Sequence, residues 1–305
     1  MNQESPLTDR FEAHREHLRR VAYRMLGSPS EADDALQEAW IRVNRADPDD
    51  VENARGWLTT VVARVCLNML RSRTRRREES LEGALPDPVV SPATELQPED
   101  EALLADSVGL ALFVVLDTLS PAERLAFVLH DTFGLPFDEI APMVGRSSEA
   151  ARQLASRARR RVRSADVQAP DADMSAQRRV VDAFFRAARE GDFAGLLRVL
   201  DPDAVLRSDF GARRQLVPPV VRGAEGVAQN ARPVPGAELI PALVNGAAGV
   251  VVVVKGRPFA LMGFTVRDDR IVAIDAIADP ERVERLAGSV LTASSASRRG
   301  ARAQP

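Results

Sequence analysis

The sequence predicts a multidomain protein in which two all-α helical domains, the second with a helix-turn-helix, precede an α+β domain. Apolar residues recur at helical spacing through roughly the first eighty residues, and again after an acidic, proline-rich stretch. Beyond about residue 200, runs of β-branched residues replace that spacing. A chain of 305 residues is long enough for two or three hydrophobic cores.

The predicted boundaries follow these changes of pattern. We expect the helical domains at 1–78 and 106–166 and the α+β domain at 176–290. Residues 79–105 are rich in proline and acids and show no periodicity, so they predict a linker with little structure of its own. A second linker at 167–175 and a disordered tail at 291–305 complete the predicted organisation.

Composition excludes several classes of protein. Cys66 is the only cysteine and the chain has three histidines, so we expect neither a disulfide nor a metal or cofactor site. His14 and His17 are one helical turn apart and are predicted to be surface residues. No apolar run is long enough to span a membrane, and the first residues lack the apolar core of a signal peptide. These features predict a cytoplasmic protein with no membrane partner.

The second predicted helix, in "SEADDALQEAWIRVNRA", carries an acidic polar face. The first helix is expected to end at Gly27 and Pro29, and Ser30 is expected to cap the second. Two interpretations stay open for the polar face: a solvated surface or a surface that docks another protein. Its candidate residues are Asp33, Asp34, Gln37, Glu38 and Arg42.

The third predicted helix is strongly basic. Six arginines and no acid occur between Arg64 and Arg77. Asn68 lies about one turn from both Arg64 and Arg71, so amide and guanidinium groups there could hold a nucleic-acid backbone and an unstacked base. The alternative is an ordinary surface helix that ends in a basic tail.

The second helical domain contains a helix-turn-helix pattern. Pro121 is expected at the first position of one helix. A short helix with Phe137 and Ile140 is followed by a turn at Gly145 and a basic amphipathic helix over 147–162. Pro142 predicts a kink in the short helix.

The leading turns of this basic helix are where base edges would be contacted. Arginine pairs with guanine, glutamine with adenine and glutamate with cytosine, whereas the later arginines would contact phosphates. A solvated helical hairpin is the alternative. The candidate DNA contacts here are Arg146, Ser148, Glu149, Arg152, Gln153, Ser156 and Arg160.

In the last domain a helix precedes the β-branched runs, and the sequence from Arg267 to Arg270 predicts a hairpin turn. Asp209 could serve as a general acid in a pocket. No histidine or second carboxylate partner is evident for it, so we expect a regulatory or ligand-sensing domain and no enzyme.

Four ordered stretches resemble the extracytoplasmic-function (ECF) RNA polymerase sigma factors: "YRMLGSPSEADDALQEAWIRV", "NARGWLTTVVARVCLNMLRSRTRRR", "LSPAERLAFVLHDTFGLPFDEIA" and "GRSSEAARQLASRARRRV". The resemblance implies that the acidic face binds core RNA polymerase. It implies that the basic second helix of the helix-turn-helix binds the upstream promoter element. It also implies that the linker follows the path of the nascent RNA. The residues expected to melt and capture promoter DNA are Asn53, Arg64, Asn68, Arg71 and Arg73.

Three stretches, "VVDAFFRAAREGDFAGLLRVLDPDAVLRSD", "VRGAEGVAQN" and "FTVRDDRIVAIDAIADPERV", give residues 176–290 a resemblance to the SnoaL-like branch of the cone-shaped α+β fold. A sigma factor with such an extension resembles an ECF subgroup whose C-terminal domain regulates the sigma core. Two motifs of that subgroup correspond to "ALPDP" in the linker and "DFGAR" in the cone. We expect the cone to pack against the promoter-melting domain, through the linker at 85–88 and the face at 209–214, because the short connection before the cone gives it a high effective concentration. The implied regulatory residues are Leu85, Pro86, Asp87, Pro88, Asp209, Gly211 and Arg213.

The expected function is therefore promoter-specific transcription initiation with core polymerase, controlled by the protein's own C-terminal domain. The expected partners are core RNA polymerase, promoter DNA and that domain, and an unidentified small ligand stays an open alternative. A DNA-binding repressor, or a small-molecule sensor with a ligand-binding or cyclase-like domain, is the rival function.

Overall fold

The computed structural model describes residues 6–45, 53–77, 85–93, 110–164, 170–171, 173–211 and 218–302. These residues form two compact units. The first contains the described residues up to 77 together with 113–164, and the second contains those from 85 to 112 together with those from 170 to 302. Helices make up the first unit, and a sheet with helices makes up the second, so the predicted fold class is confirmed.

Three helices begin the first unit: α1 (Pro6–Leu26), α2 (Pro29–Val43) and α3 (Ala54–Arg77). Gly27, at φ 75°, ends α1 as predicted. Ser28, and not Ser30, caps α2, because its Oγ accepts from the Glu31 N–H at 3.4 Å. Leu58, Val62, Val65 and Leu70 are buried along α3.

The rest of this unit contains the predicted helix-turn-helix. The helices are α4 (Leu110–Asp117), α5 (Pro121–Phe127), α6 (Phe137–Val144) and α7 (Ser148–Ser164), with a π-helical turn, Val128–Thr132, directly after α5. Ser120 and Glu123 form a reciprocal capping box at the start of α5. Gly145 has φ 68° and ends α6, and the Ser147 Oγ accepts from the Ala150 N–H at 3.2 Å to start α7.

The two helical parts of the first unit contact each other. The Tyr23 and Phe113 ring centroids are 4.9 Å apart. His17 is buried, contrary to the predicted surface position, and its ring lies edge-on to Phe133 at 5.6 Å. Burial, followed by the charges of Arg55, Arg20 and His14, lowers the pKa of His17 to about 4. A neutral His17 can therefore accept from Arg55 at Nδ1 and donate from Nε2 to Thr59.

The second unit is built on a sheet in which seven described strands have the order β1-β4-β5-β6-β7-β2-β3. The strands are β1 (Val90–Pro92), β2 (Leu200–Asp209), β3 (Val220–Arg222), β4 (Ala237–Val244), β5 (Ala247–Val254), β6 (Arg257–Arg267) and β7 (Arg270–Ile277). Neighbours are antiparallel except for β2 and β7, which are parallel. The predicted hairpin at Arg267–Arg270 joins β6 and β7, and Asp268 and Asp269 have positive φ as its turn requires.

Four described helices accompany this sheet: α8 (Met174–Glu190), α9 (Phe193–Val199), α10 (Ala224–Asn230) and α11 (Pro280–Arg302). Asp173 caps α8, since its Oδ1 accepts from the Ser175 and Ala176 N–H groups. Phe184 of α8 packs edge-on against Phe264 of β6, with centroids 5.8 Å apart, inside the main hydrophobic core of the unit.

Two sequence predictions are wrong here. The linker expected at 79–105 is not featureless, because Val90–Pro92 forms β1 along the edge of β4. The tail expected to be disordered from residue 291 is instead the end of α11, which continues to Arg302. The buried residues Val283, Ala287 and Val290 hold α11 against the unit, and the alanine-rich sequence that follows favours continuation of the helix.

Candidate functional sites

The acidic residues predicted on α2 share one exposed face. The face is defined by Asp33, Asp34, Gln37 and Glu38, all of which are exposed. Asp33 accepts from Arg19 at 2.8 Å, and Glu38 pairs with Arg42 one turn later. Ile41 lies beside these residues and leaves 44% of its surface exposed. This combination offers a partner both apolar contact area and negative charge.

The basic residues predicted on α3 divide into two groups. Arg64, Asn68 and Arg71 are exposed, and we call them the basic face. Asn53 is also exposed, and its Oδ1 accepts from the Gly56 N–H at 3.0 Å, which caps the start of α3. The spacing of the basic face therefore matches the sequence prediction, and its side chains are accessible to a nucleic acid.

Arg73 points into the first unit instead. It donates to the Leu26 carbonyl at 3.3 Å and pairs with Glu31, and its Nη1 lies 3.9 Å from Asp117. The nearly buried Arg124 binds the same Asp117 carboxylate at 2.5 Å. Arg73 was predicted to contact DNA, but its contacts are those of a residue that joins α3 to the end of α1, to α2 and to α4.

The helix-turn-helix presents the predicted polar side chains of α7 to solvent. Ala151, Ala155 and Ala158 are buried on the opposite face. Ser148 is half-buried, and the other candidates are exposed: Arg146, Glu149, Arg152, Gln153, Ser156 and Arg160. The predicted distinction between an inward apolar face and an outward polar face is thus present in the structure.

Three arginines of α7 are held by carboxylates on neighbouring segments. Arg157 and Arg161 bind Glu123 at 3.1 and 3.2 Å, and Arg159 binds Asp131 at 2.6 Å. Burial alone would raise the pKa of Glu123, but hydrogen bonds from Ser120 and the charges of Arg161 and Arg157 outweigh it and lower the pKa. Glu123 therefore stays ionised and fixes α7 on α5.

In the second unit, Arg282 of α11 joins the linker to the cone. We call residues 85–93 the linker segment, and we call Arg282 with Asp87 and Asp209 the Arg282 clamp. Arg282 donates to Asp87 Oδ1 from Nε at 2.9 Å and from Nη2 at 2.7 Å, and it also pairs with Asp209. Its Nη2 donates to the Leu85 carbonyl at 2.6 Å. Burial disfavours the charge, but Asp87 and Asp209 raise the pKa of Arg282.

The backbone of the linker segment is bound on both sides of the clamp. The Leu85 N–H donates to Asp209 Oδ2 at 2.9 Å, so one carboxylate serves both the segment and Arg282. Further along, the Val89 N–H donates to Asn245 Oδ1 and the Val89 carbonyl accepts from the Asn245 N–H, both at 2.8 Å. Arg285 adds a more exposed pair to Asp87 at 2.7 Å.

The structure thus brings together several residues predicted for regulation. Leu85, Pro86 and Pro88 are buried, and Asp87 and Asp209 meet at Arg282. Gly211 donates its N–H to Asp209 Oδ1 at 2.9 Å, with φ 58°. Arg213 lies outside the described residues. Arg282 was missed, although "DPERV" was part of the pattern that carried the resemblance and contained this cation.

The cone also contains a cavity of about 140 Å³. Its walls are apolar, with Phe184, Leu206, Val252 and Ile274 among them, and Arg189, Asn230 and Arg232 are its polar lining residues. Among the described residues that line it there is no aspartate, glutamate or histidine, and Asp209 lies elsewhere. These walls suit a small apolar molecule and, in the part of the chain that the structure describes, offer no carboxylate or imidazole for acid-base chemistry.

The described residues contain no cluster of three or more histidine, cysteine or carboxylate side chains that could hold a metal ion. Among these residues, no helix has the length and hydropathy needed to cross a membrane.

Comparison with protein families gives two matches to this chain. A family model described as Sigma-70 region 2 matches residues 10–76, and one described as Sigma-70, region 4 matches residues 110–162. The first match contains α2 and the basic face of α3, and the second contains α4 to α7 up to Val162.

Individual proteins match over most of the chain. The probable ECF RNA polymerase sigma factor SigI of Mycobacterium tuberculosis is 34% identical over 289 residues, covering 94% of this chain and 98% of SigI. The ECF RNA polymerase sigma factor SigJ of the same species is 38% identical over 288 residues, covering 89% and 91%. The crystal structure of SigJ aligns with a TM-score of 0.68 over 90% of this chain and 97% of that one, at 34% identity. The resemblance inferred from the sequence is confirmed.

Proposed function

This chain belongs to the ECF family of RNA polymerase sigma factors, which are transcription initiation factors and not enzymes, and we propose how its residues divide that task. The acidic face of α2 binds core RNA polymerase, the basic face of α3 and the outer face of α7 bind promoter DNA, and the cone controls the protein through the linker segment. A factor that binds core polymerase acts in the cytoplasm, where that enzyme is.

Polymerase binding is assigned to α2 because its exposed surface combines charge with an apolar side chain. Asp34 and Gln37 have exposed side chains, and Ile41 is exposed beside them. Carboxylates on such a surface steer a basic partner, and burial of Ile41 would add contact area. A DNA-binding repressor needs no such face, so this surface favours the sigma-factor function over its rival.

Promoter binding is assigned to two separate helices. Asn68 on α3 lies between two exposed arginines and can contact an unstacked base and the backbone on either side of it. On α7, Glu149, Arg152 and Gln153 occupy the leading turns that would contact base edges, and Arg160 lies further along, where a phosphate would be met.

The single observation that carries the regulatory proposal is the Arg282 clamp. It holds the linker segment, which connects the two helical domains in sequence, on the cone through Asp87, Asp209 and the Leu85 carbonyl. A linker bound over 85–93 has less chain free to span the distance between two promoter elements. Docking the segment therefore restrains the sigma factor, and undocking releases it. That the cone also packs against the promoter-melting domain stays a prediction.

The cavity of the cone supports a further, narrower proposal about regulation. Leu206 and Ile274 line it from β2 and β7, the strands that end beside the clamp at Asp209 and Ile277. A small apolar ligand bound there would stabilise the cone by mass action and could bias the clamp. Thermal unfolding of the full chain with and without benzyl alcohol and benzoate checks for such binding, and an unchanged Tm with both would remove the ligand from the account.

Run-off transcription with purified core polymerase tests the proposed function. Templates are first selected from a random pool by the full chain bound to core enzyme, and transcription is then compared with core enzyme alone. The proposal predicts transcripts with a defined start that depend on both proteins. Sequence-specific binding to duplex DNA by the chain alone, without any transcription when core enzyme is added, would favour the repressor.

A further inference from the structure

Arg152 is held differently from the neighbouring arginines of α7. Arg157, Arg159 and Arg161 are tied to carboxylates, whereas Arg152 lies over the ring of Phe137, with its Cζ 5.3 Å from the ring centroid. Within the described part of the chain, no carboxylate lies within ion-pair distance of Arg152. An aromatic contact leaves the N–H donors of a guanidinium available to a base, whereas an ion pair occupies them.

Phe137 is itself held in place by a second ring. It is the first residue of α6, and the His130 ring stacks on it at 3.9 Å between centroids, with 29° between the planes. His130 donates from Nδ1 to the Leu135 carbonyl at 2.9 Å, which fixes the orientation of its ring. The stack therefore joins the π-helical turn, α6 and α7.

The π-helical turn, Val128–Thr132, places this stack where it can act on α7. His130 and Asp131 are adjacent in the turn, and while His130 supports Phe137, Asp131 binds Arg159 at 2.6 Å. The extra residue in such a turn changes the directions of the side chains within it, and π-helical turns are frequent at functional sites. One turn thus fixes α7 through Arg159 and supports the ring under Arg152.

We propose that Phe137, supported by His130, is a positioning residue that holds Arg152 ready to contact one base pair of the upstream promoter element. The inference rests on the proposed role of α7 in promoter binding. A free arginine side chain loses rotamer freedom when it binds a base, and a side chain already ordered over a ring loses less. The ring therefore strengthens the preference for one base pair without touching DNA.

The test is a double-mutant cycle in the full chain bound to core polymerase, with the four bases placed in turn at each position of the selected upstream element. Arg152→Ala identifies the position at which base preference depends on this arginine. Phe137→Leu, which keeps an apolar side chain but removes the ring, is expected to reduce preference at that same position by about 3- to 10-fold. The loss is expected to disappear in the Arg152→Ala background, because the two residues act through one contact.

Two variants separate positioning from a structural role. Phe137→Tyr keeps the ring and is expected to retain the wild-type preference. His130→Gln removes the supporting ring without altering α6, and is expected to give a smaller loss at the same position. Glu139→Gln, at an exposed position on α6, is the matched control and is expected to change nothing.

The outcomes distinguish the inference from the function on which it rests. Phe137 is structural, and the inference is wrong, if Phe137→Leu weakens binding to all four bases equally. The same holds if its loss of binding is as large in the Arg152→Ala background as in the wild type. In both cases the promoter role of α7 stands. If Phe137→Leu does not fold, the same two criteria apply to His130→Gln. If Arg152→Ala changes base preference nowhere, the role of Arg152 in promoter reading fails, and the inference fails with it.

Discussion

The acidic face of α2 and the Arg282 clamp are both built from charges, but they differ in burial and in the sequence separation of their members. Asp33, Asp34 and Glu38 are exposed and lie within one helix. In the clamp, Asp87 and Asp209 are 12% and 7% exposed, and Arg282 binds partners far away in the sequence, such as Asp87 at a separation of 195 residues.

This difference shows which charges serve other molecules and which hold the protein itself. Exposed charges on one helix contribute little to stability, because water screens them, and so they are free to steer a partner. Arg282 and its two carboxylates are largely buried. Replacing all three by apolar residues would cost little stability, but removing one of them leaves the charge of the others uncompensated. Changes to the face should therefore alter binding, and changes to the clamp should alter folding of the linker segment.

The largest expected effect is that of Arg282→Gln on the clamp. Because Asp209 would remain buried without its cation, and Asp87 would keep only the more exposed Arg285 of its two arginine partners, docking of the linker segment should lose about 3–5 kcal/mol. Amide hydrogen exchange at Leu85 and Val89 should accelerate on the order of 10²- to 10³-fold. Arg285→Gln is the control, since this side chain is 50% exposed and its pair with Asp87 is screened by water, so about 1 kcal/mol or less is expected. Equal exchange in the two variants would show that Arg282 is not the centre of the clamp.

Reversing charges on the acidic face should have the next largest effect, on binding alone. The double variant Asp34→Arg, Glu38→Arg is expected to weaken binding to core polymerase by about 2–3 kcal/mol, on the order of 100-fold, through like-charge repulsion. Fluorescence anisotropy of the labelled chain with core enzyme measures it. Glu225→Arg, at an exposed position on α10, should bind like the wild type. Weakening by both variants to the same extent would remove the special role of this face.

Glu123 is buried, like Asp209 of the clamp, but its partners are exposed arginines of α7. Its contribution to stability should depend on pH. Its pKa is lowered in the folded protein, so its ionised form adds stability above its ordinary pKa of 4.5, and that stability is lost as the pH falls below this value. Glu123→Gln should cost about 1.5–3 kcal/mol at pH 7 and progressively less below pH 4.5. Urea unfolding of both proteins across this range measures the difference, and a cost that does not change with pH would contradict the assignment.

Arg160→Ala is expected to have the smallest effect. Arg160 is exposed on α7, and in its proposed role it contacts a phosphate. Its loss should weaken binding of the full chain and core enzyme to all promoter sequences similarly and reduce the salt slope of log K by about 1. A loss of preference at one base pair would instead place Arg160 among the base-reading residues.

How much could be predicted from the sequence depended on the same distinction between local and distant contacts. The acidic face, the turn at Gly145 and the hairpin at Asp268 and Asp269 follow from neighbouring residues, because helix periodicity and turn chemistry are local. Burial of His17 and the inward direction of Arg73 depend on contacts with distant segments. A basic run therefore predicted the charge of α3 correctly but could not say which arginine points inward.

The residues of the clamp were predicted only in part, again because its contacts join segments that are distant in the sequence. "ALPDP" and "DFGAR" identified Asp87 and Asp209, but nothing in the spacing of the chain indicated that Arg282 joins them. The proline-rich composition of the linker predicted a lack of structure, whereas pairing of Val90–Pro92 with β4 supplies the hydrogen bonds that the segment lacks alone. The tail was predicted to be disordered because it ends the chain, but the buried start of α11 gives the helix a nucleus from which to continue.

Run-off transcription by Arg282→Gln in the full chain is the most direct test of the central claim, that docking of the linker segment on the cone controls this sigma factor. At limiting sigma factor and with core polymerase on selected templates, the account predicts a several-fold higher transcript yield from Arg282→Gln than from the wild type, with the same start site, whereas Arg285→Gln should resemble the wild type. A chain stopped after Val167 lacks both Arg282 and the cone, and it should transcribe differently from the full chain. An unchanged or lower yield from Arg282→Gln, together with a truncated chain that transcribes like the full-length protein, would contradict control by the cone.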